Sequence, residues 1–198
     1  MHTINLPENK NIALMFSGGA DSSILLYLLH KHNIEENKNC IIQSYTVPRR
    51  TGARDHTANV INCIRSYLKI DIPNTILVGD PNIHHSIFLD TGIDEAYQKY
   101  KPDLIFIGTT QNPDTQLNTT FDYPARETVK ETALIKHPFS HFDKSYILSL
   151  YFEYKIEEML KLTHSCSVEV FGRCNYCFFC KEREWAFTKL GLTDPGTN

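Results

Sequence analysis

An apolar run over residues 11–16 (NIALMF) stops at Ser17-Gly18-Gly19 and gives way at once to a helical pattern. A strand that is apolar throughout, rather than alternating, is buried on both faces, as in parallel sheets covered by helices. The paired glycines behind it allow a tight turn. From residue 21 onward Ile24, Leu25, Leu28 and Leu29 recur at helical offsets, and Asp21 and Ser22 suit a first turn or cap. A chain that opens this way is committed to strand, turn and helix in immediate succession.

The same alternation continues. Residues 40–47 and 75–78 predict strands, and 54–68 predicts a helix with Val60, Ile61, Ile64 and Leu68 in register. Residues 94–100 end a third helix, 104–107 (LIFI) form a fourth strand and 133–136 a fifth. Helices are expected at 144–152, 155–162 and 180–190. Residues 108–132 are polar and carry Pro113 and Pro124, which reads as a long loop, of a length uncommon in compact domains unless it binds something or is mobile. The predicted fold is α/β, an open and mainly parallel sheet with helices on both faces and ligands at the carboxyl ends of its strands.

Composition narrows the setting. The 198 residues are 41% hydrophobic and 22% charged, enough for one globular core. Against 23 Asp plus Glu stand 20 Lys plus Arg, so no basic footprint marks a direct nucleic-acid contact. No run approaches the ~20 apolar residues of a membrane span, and residues 1–10 lack a signal peptide's apolar segment. A soluble cytoplasmic protein is the expectation.

The strongest chemistry lies in Ser17, Gly18, Gly19, Ala20, Asp21, Ser22 and Ser23. Backbone amides at a glycine turn, the positive end of the following helix and three hydroxyls converge on one point, which suits an anion. A Walker loop would need a Lys after its last Gly, and a dinucleotide fingerprint needs three spaced glycines. The plain alternative is a structural Gly-Gly turn with a capped helix.

Cys40 and Cys63 stand alone and read as small buried hydrophobes, whereas Cys166, Cys174, Cys177 and Cys180 follow the spacing C-x7-C-x2-C-x2-C. Four thiolates at short spacing favour a closed structural zinc site. A redox couple at Cys174 and Cys177 is the alternative, and a third cysteine at the same spacing argues against it.

Ser-Gly-Gly-x-Asp-Ser after an apolar strand resembles the loop of the N-type ATP pyrophosphatases, the PP-loop group with an adenine nucleotide alpha hydrolase-like fold. The cysteine spacing is followed by Arg183, Ala186-Phe187 and Gly191-Leu192-Thr193-Asp194-Pro195, and this tail resembles the 7-cyano-7-deazaguanine synthase family. Residues 104–108 and 137–144 follow that family's strand and loop order. The resemblance implies a PP-loop domain at 1–162 with a zinc-binding segment at 163–198 packed on it. It implies ATP as co-substrate, held by residues 17–23 with Gly108, and Mg2+ placed by Asp21. Lys144 would act on the phosphates, and Arg49, Arg54 and His56 are weaker substrate candidates.

The implied reaction adenylates 7-carboxy-7-deazaguanine and aminates it with ammonia to the nitrile. Lys144 has a plain alternative as the exposed start of a helix, and the arginines as a solvated loop. The chain departs from the family at residues 47–56, where only His56 aligns, and at 79–100, where the family's Pro-x-Arg-Asn segment has no counterpart. Two other readings therefore stay open. One is a related ligase that stops at the amide or joins the carboxylate to another amine, a protein acceptor included; the other is a tRNA sulfur transferase or an inactive nucleotide-binding module. A homodimer is compatible with all of them.

Overall fold

The computed structural model describes residues 2–48, 55–80, 88–119, 126, 131–168 and 172–196. Five strands, β1 (Asn11–Met15), β2 (Ile41–Thr46), β3 (Ile76–Leu77), β4 (Leu104–Ile107) and β5 (Ile135–Lys136), form one sheet in the order β3-β2-β1-β4-β5. Every pairing is parallel, and β1 is central, with Ile12 opposite Ile42 on one side and Leu104 on the other. The connections are α1 (Ala20–Glu35), α2 (Asp55–Leu68) and α3 (Phe88–Tyr100), followed after β5 by α4 (Lys144–Glu153), a 3-10 helix (Glu157–Leu162) and α5 (Phe178–Leu190).

The unbroken apolar run of β1 is explained by what covers each face. Ile12, Leu14 and Phe16 enter the larger core with Ile24, Leu25, Val60, Ile64, Leu148, Tyr151, Met159 and Phe187, contributed by α1, α2, α4, the 3-10 helix and α5. Ala13 and Met15 point the other way, to Tyr45, Val78, Ile105, Ile107 and Ala96 of α3. Helices thus lie on both faces, and the side-chain period of two divides β1 between two cores.

Two expectations are corrected in detail. The pattern of α1 suggests one apolar face, yet Leu26, Tyr27, His30 and His32 are also buried, because α2 and α4 pack against a helix already seated on β1 and β2. The helix expected at 155–162 is a shorter 3-10 turn, because Lys155 adopts φ +56° and breaks the α-helical path after α4. No helix among the described residues is long and apolar enough to cross a membrane.

Candidate functional site

The chain reverses direction across the sheet at β1, since β2 and β3 lie to one side and β4 and β5 to the other. In open parallel sheets the crevice beyond the strand ends at such a point is where ligands bind. Residues 17–23 leave β1 at that crevice. Gly18 has φ +75°, a left-handed conformation that glycine takes without strain, and a Cβ there would meet His56 Cβ at 3.3 Å. Gly19 is the N-cap of α1. The loop braces itself: Ser17 N donates to Ser22 Oγ (3.2 Å), Gly19 N to Ser17 Oγ (3.3 Å) and Ser22 Oγ to Gly19 O (3.3 Å). The first turn of α1, whose leading N–H groups have no acceptor within the helix, faces the same crevice.

Gly108 follows β4 and abuts this turn. A Cβ on it would lie 3.1 Å from Asp21 C and Ser22 N, so the absence of a side chain is what lets the β4 end meet the start of α1. Its placement is a close approach of two backbones.

Asp21 and Lys144, 123 positions apart, are brought together: Lys144 Nζ donates to Asp21 Oδ2. Lys144 does begin a helix, at α4, but its side chain is only 4% exposed, so the solvated reading fails. The other oxygen, Asp21 Oδ1, is buried and has no hydrogen-bond partner among the described residues. Lys144 Nζ also lies 3.6 Å from Glu182 Oε2, on α5. Glu182 is fully buried and accepts from both terminal guanidinium nitrogens of Arg126, with Nη2 to Oε2 at 3.2 Å; Arg126 Nη1 also donates to Thr110 Oγ1 at 3.0 Å. The Arg126 guanidinium lies over the Phe178 ring, 5.2 Å from its centroid. Thr110, Arg126 and Glu182 carry no motif that would single them out; only the fold joins them.

The ring of His56, at the start of α2, stacks on that of His164 with centroids 4.3 Å apart and planes 6° from parallel. His164 N donates to Gly18 O at 3.0 Å, so the segment leading to the cysteines is tied directly to the loop. Arg49, Arg50 and Arg54 lie outside the described residues.

The four clustered cysteines converge, with all four Sγ atoms within 4.8 Å of one another. Cys177 caps α5 and Cys180 sits in its first turn, at the positive end of the helix. Burial alone would raise the Cys177 thiol, but hydrogen bonds from Ser167 and Cys180 outweigh it and bring the thiol down to about 7. Burial and the bond to Cys177 push Cys180 up. This is a donor set able to hold a metal ion. Of the lone cysteines, Cys40 is buried, with Sγ donating to Pro7 O at 3.0 Å, and Cys63 is half-buried in α2.

Arg183, also fully buried, anchors the C-terminal tail. Its Nε and NH2 donate to Asp194 Oδ2 and Oδ1 (2.7 and 2.9 Å), NH1 to Thr163 Oγ1 (2.7 Å) and NH2 to Leu160 O (3.0 Å). Burial would raise the Asp194 carboxyl, but Arg183 and Arg173 hold it at about 2.

No protein-family model and no curated protein sequence matches this chain. Among solved structures, it is similar to the U34-tRNA thiolase NcsA from Methanococcus maripaludis with its [4Fe-4S] cluster, at a TM-score of 0.53 and 16% identity over 96% of this chain and 68% of that one. A likeness at that identity is one of fold. The parallel sheet order and the helices on both faces give this chain an open α/β fold similar to that of the thiolase, with the cysteine cluster beyond the last strand.

Proposed function

We propose that this chain is an ATP-using enzyme that adenylates a carboxylate and passes it to ammonia, with 7-carboxy-7-deazaguanine as substrate and 7-cyano-7-deazaguanine as product. The observation that carries the reading is the state of Asp21: one oxygen is held by Lys144 and the other is buried and unpartnered, at the mouth of a loop built for an anion. An orphaned buried carboxylate oxygen fits a magnesium ion shared with phosphates. Bound there, Mg2+ would neutralise charge on the pyrophosphate as it leaves.

The residues of the chain would then position groups rather than transfer protons. The N–H groups at the start of α1 receive the pyrophosphate, and the hydroxyls of Ser17 and Ser22 hold the loop open to it. Lys144 donates to a phosphate oxygen. The substrate carboxylate attacks the α-phosphorus and pyrophosphate departs; ammonia displaces AMP to give the amide. A second ATP adenylates the amide oxygen, and loss of AMP with two protons leaves the nitrile. The identity of the substrate rests on the resemblance of residues 166–195 to the nitrile-forming family.

Zinc is the proposed metal. A tetrahedral ion with Zn to S bonds of about 2.3 Å needs sulfurs roughly 3.8 Å apart; the four Sγ atoms lie within 4.8 Å of one another, with Cys174 and Cys180 Sγ 4.0 Å apart. A cubane gives each thiolate its own iron and so spreads the sulfurs further. The second reading, a tRNA sulfur transferase, is favoured by the structural likeness to a thiolase. Iron and a visible absorption band in anaerobically purified protein would turn the assignment to it.

The test is incubation with ATP, magnesium, ammonium and 7-carboxy-7-deazaguanine, with AMP counted against substrate consumed. Two AMP per nitrile is the expected result. One AMP with a stable amide or a conjugate moves the chain to the related ligase, and no turnover overturns the substrate. Asp21→Asn should abolish substrate-dependent pyrophosphate release with the fold intact by circular dichroism.

A further inference from the structure

Lys144 occupies a place that nothing but carboxylates could make tolerable. Its side chain is 4% exposed, and it is the first residue of α4, where the helix dipole presents positive charge. Burying an ammonium is unfavourable unless it is paired. Asp21 supplies the nearer pairing and Glu182, at 3.6 Å, the second. Glu182 has no exposure of its own and is fixed from behind by both nitrogens of Arg126. Asp21, Lys144, Glu182 and Arg126 sum to zero charge.

That balance changes when a divalent cation and a polyphosphate arrive. A cation taken by Asp21 Oδ1 draws on the same single negative charge that Oδ2 offers Lys144, so the ammonium needs an anchor that is not shared with the metal ion. We propose that Glu182 is that anchor: a positioning residue that holds the Lys144 ammonium in the crevice while Asp21 also serves the metal ion, leaving it directed at a phosphate oxygen. Arg126 keeps the Glu182 carboxylate in register, and Thr110 keeps Arg126 in register in turn. Because Glu182 lies two residues beyond Cys180, the cysteine-bearing helix supplies the anchor for the loop at the other end of the chain. The inference rests on residues 17–23 being the phosphate loop.

A double-mutant cycle read in Mg-ATP affinity, by calorimetry on the full chain, separates this role from a structural one. Lys144→Met should weaken binding at least tenfold, and Glu182→Gln, which keeps shape and removes charge, about tenfold, at an unchanged zinc content. If Glu182 acts through Lys144, the double variant binds as Lys144→Met alone. Equal fold losses from Glu182→Gln in both backgrounds would mean that it only supports the fold, and would overturn the proposal. So would wild-type affinity in the single variant. Should Glu182→Gln not fold, Glu182→Asp, which draws the carboxylate back by one methylene, replaces it in the same cycle with the same two outcomes. Wild-type protein that binds no Mg-ATP overturns the phosphate-loop reading, and the anchor with it.

Discussion

Asp194 shows how much one side chain can hold at the end of a chain. Its carboxyl sits at about 2 in the folded protein and near 3.9 when unfolded. A depressed carboxyl stabilises fully above its unfolded value, and that stabilisation drains away as pH falls from about 4 toward 2. The difference corresponds to roughly 2–3 kcal/mol. Asp194→Asn should therefore be less stable than the parent by about that amount at pH 6, and the gap should close as pH approaches 2, measured by urea unfolding across the range. Residues of this kind divide into those the sequence announces and those it does not. Ser17, Asp21 and the four cysteines are legible because each belongs to a short pattern contained in a few neighbouring residues. Lys144 was legible only by resemblance, since 123 positions separate it from Asp21. Glu182 and Arg126, 56 positions apart, look in sequence like two more surface charges.

At the level of elements, α5 has three assignments between its N-cap Cys177 and its C-cap Gly191. Its N-terminus presents Cys177 and Cys180 to the candidate metal site, its second turn carries Glu182 and Arg183, and Gly191 ends it in a left-handed cap with Leu192 N donating to Phe187 O at 3.0 Å. Removing the metal should loosen the first of these and disturb the others. Protein stripped by chelator, and Cys177→Ser, should each melt about 10 °C lower in a thermal scan, the shift that roughly 3 kcal/mol makes in a chain of this size. The strands β1 and β4 were readable to within a residue because near-continuous burial leaves a plain apolar run, and β2 to within a residue although it carries Gln43 and Ser44. The two-residue strands β3 and β5 carried weaker signals, and the helical pattern over 155–162 did not disclose a 3-10 turn, whose start is set by the left-handed Lys155.

For the whole molecule the parallel sheet follows from alternation, but its strand order and its dependence on the last segment do not. Ala186 and Phe187 belong to the same core as β1 and α1, and α5 packs along α4. Truncation after Leu162 should consequently leave a chain that binds a hydrophobic dye and aggregates, rather than a smaller working domain; a soluble monomer with a cooperative melt would show that the first 162 residues stand alone. The hydrogen bond from His164 N to Gly18 O has a bearing on how such a chain is made. The two residues are 146 positions apart, so at about 5–20 residues per second a ribosome needs roughly 7–30 s to follow the first with the second. For that interval the nascent chain carries its glycine turn without the strap that completes it.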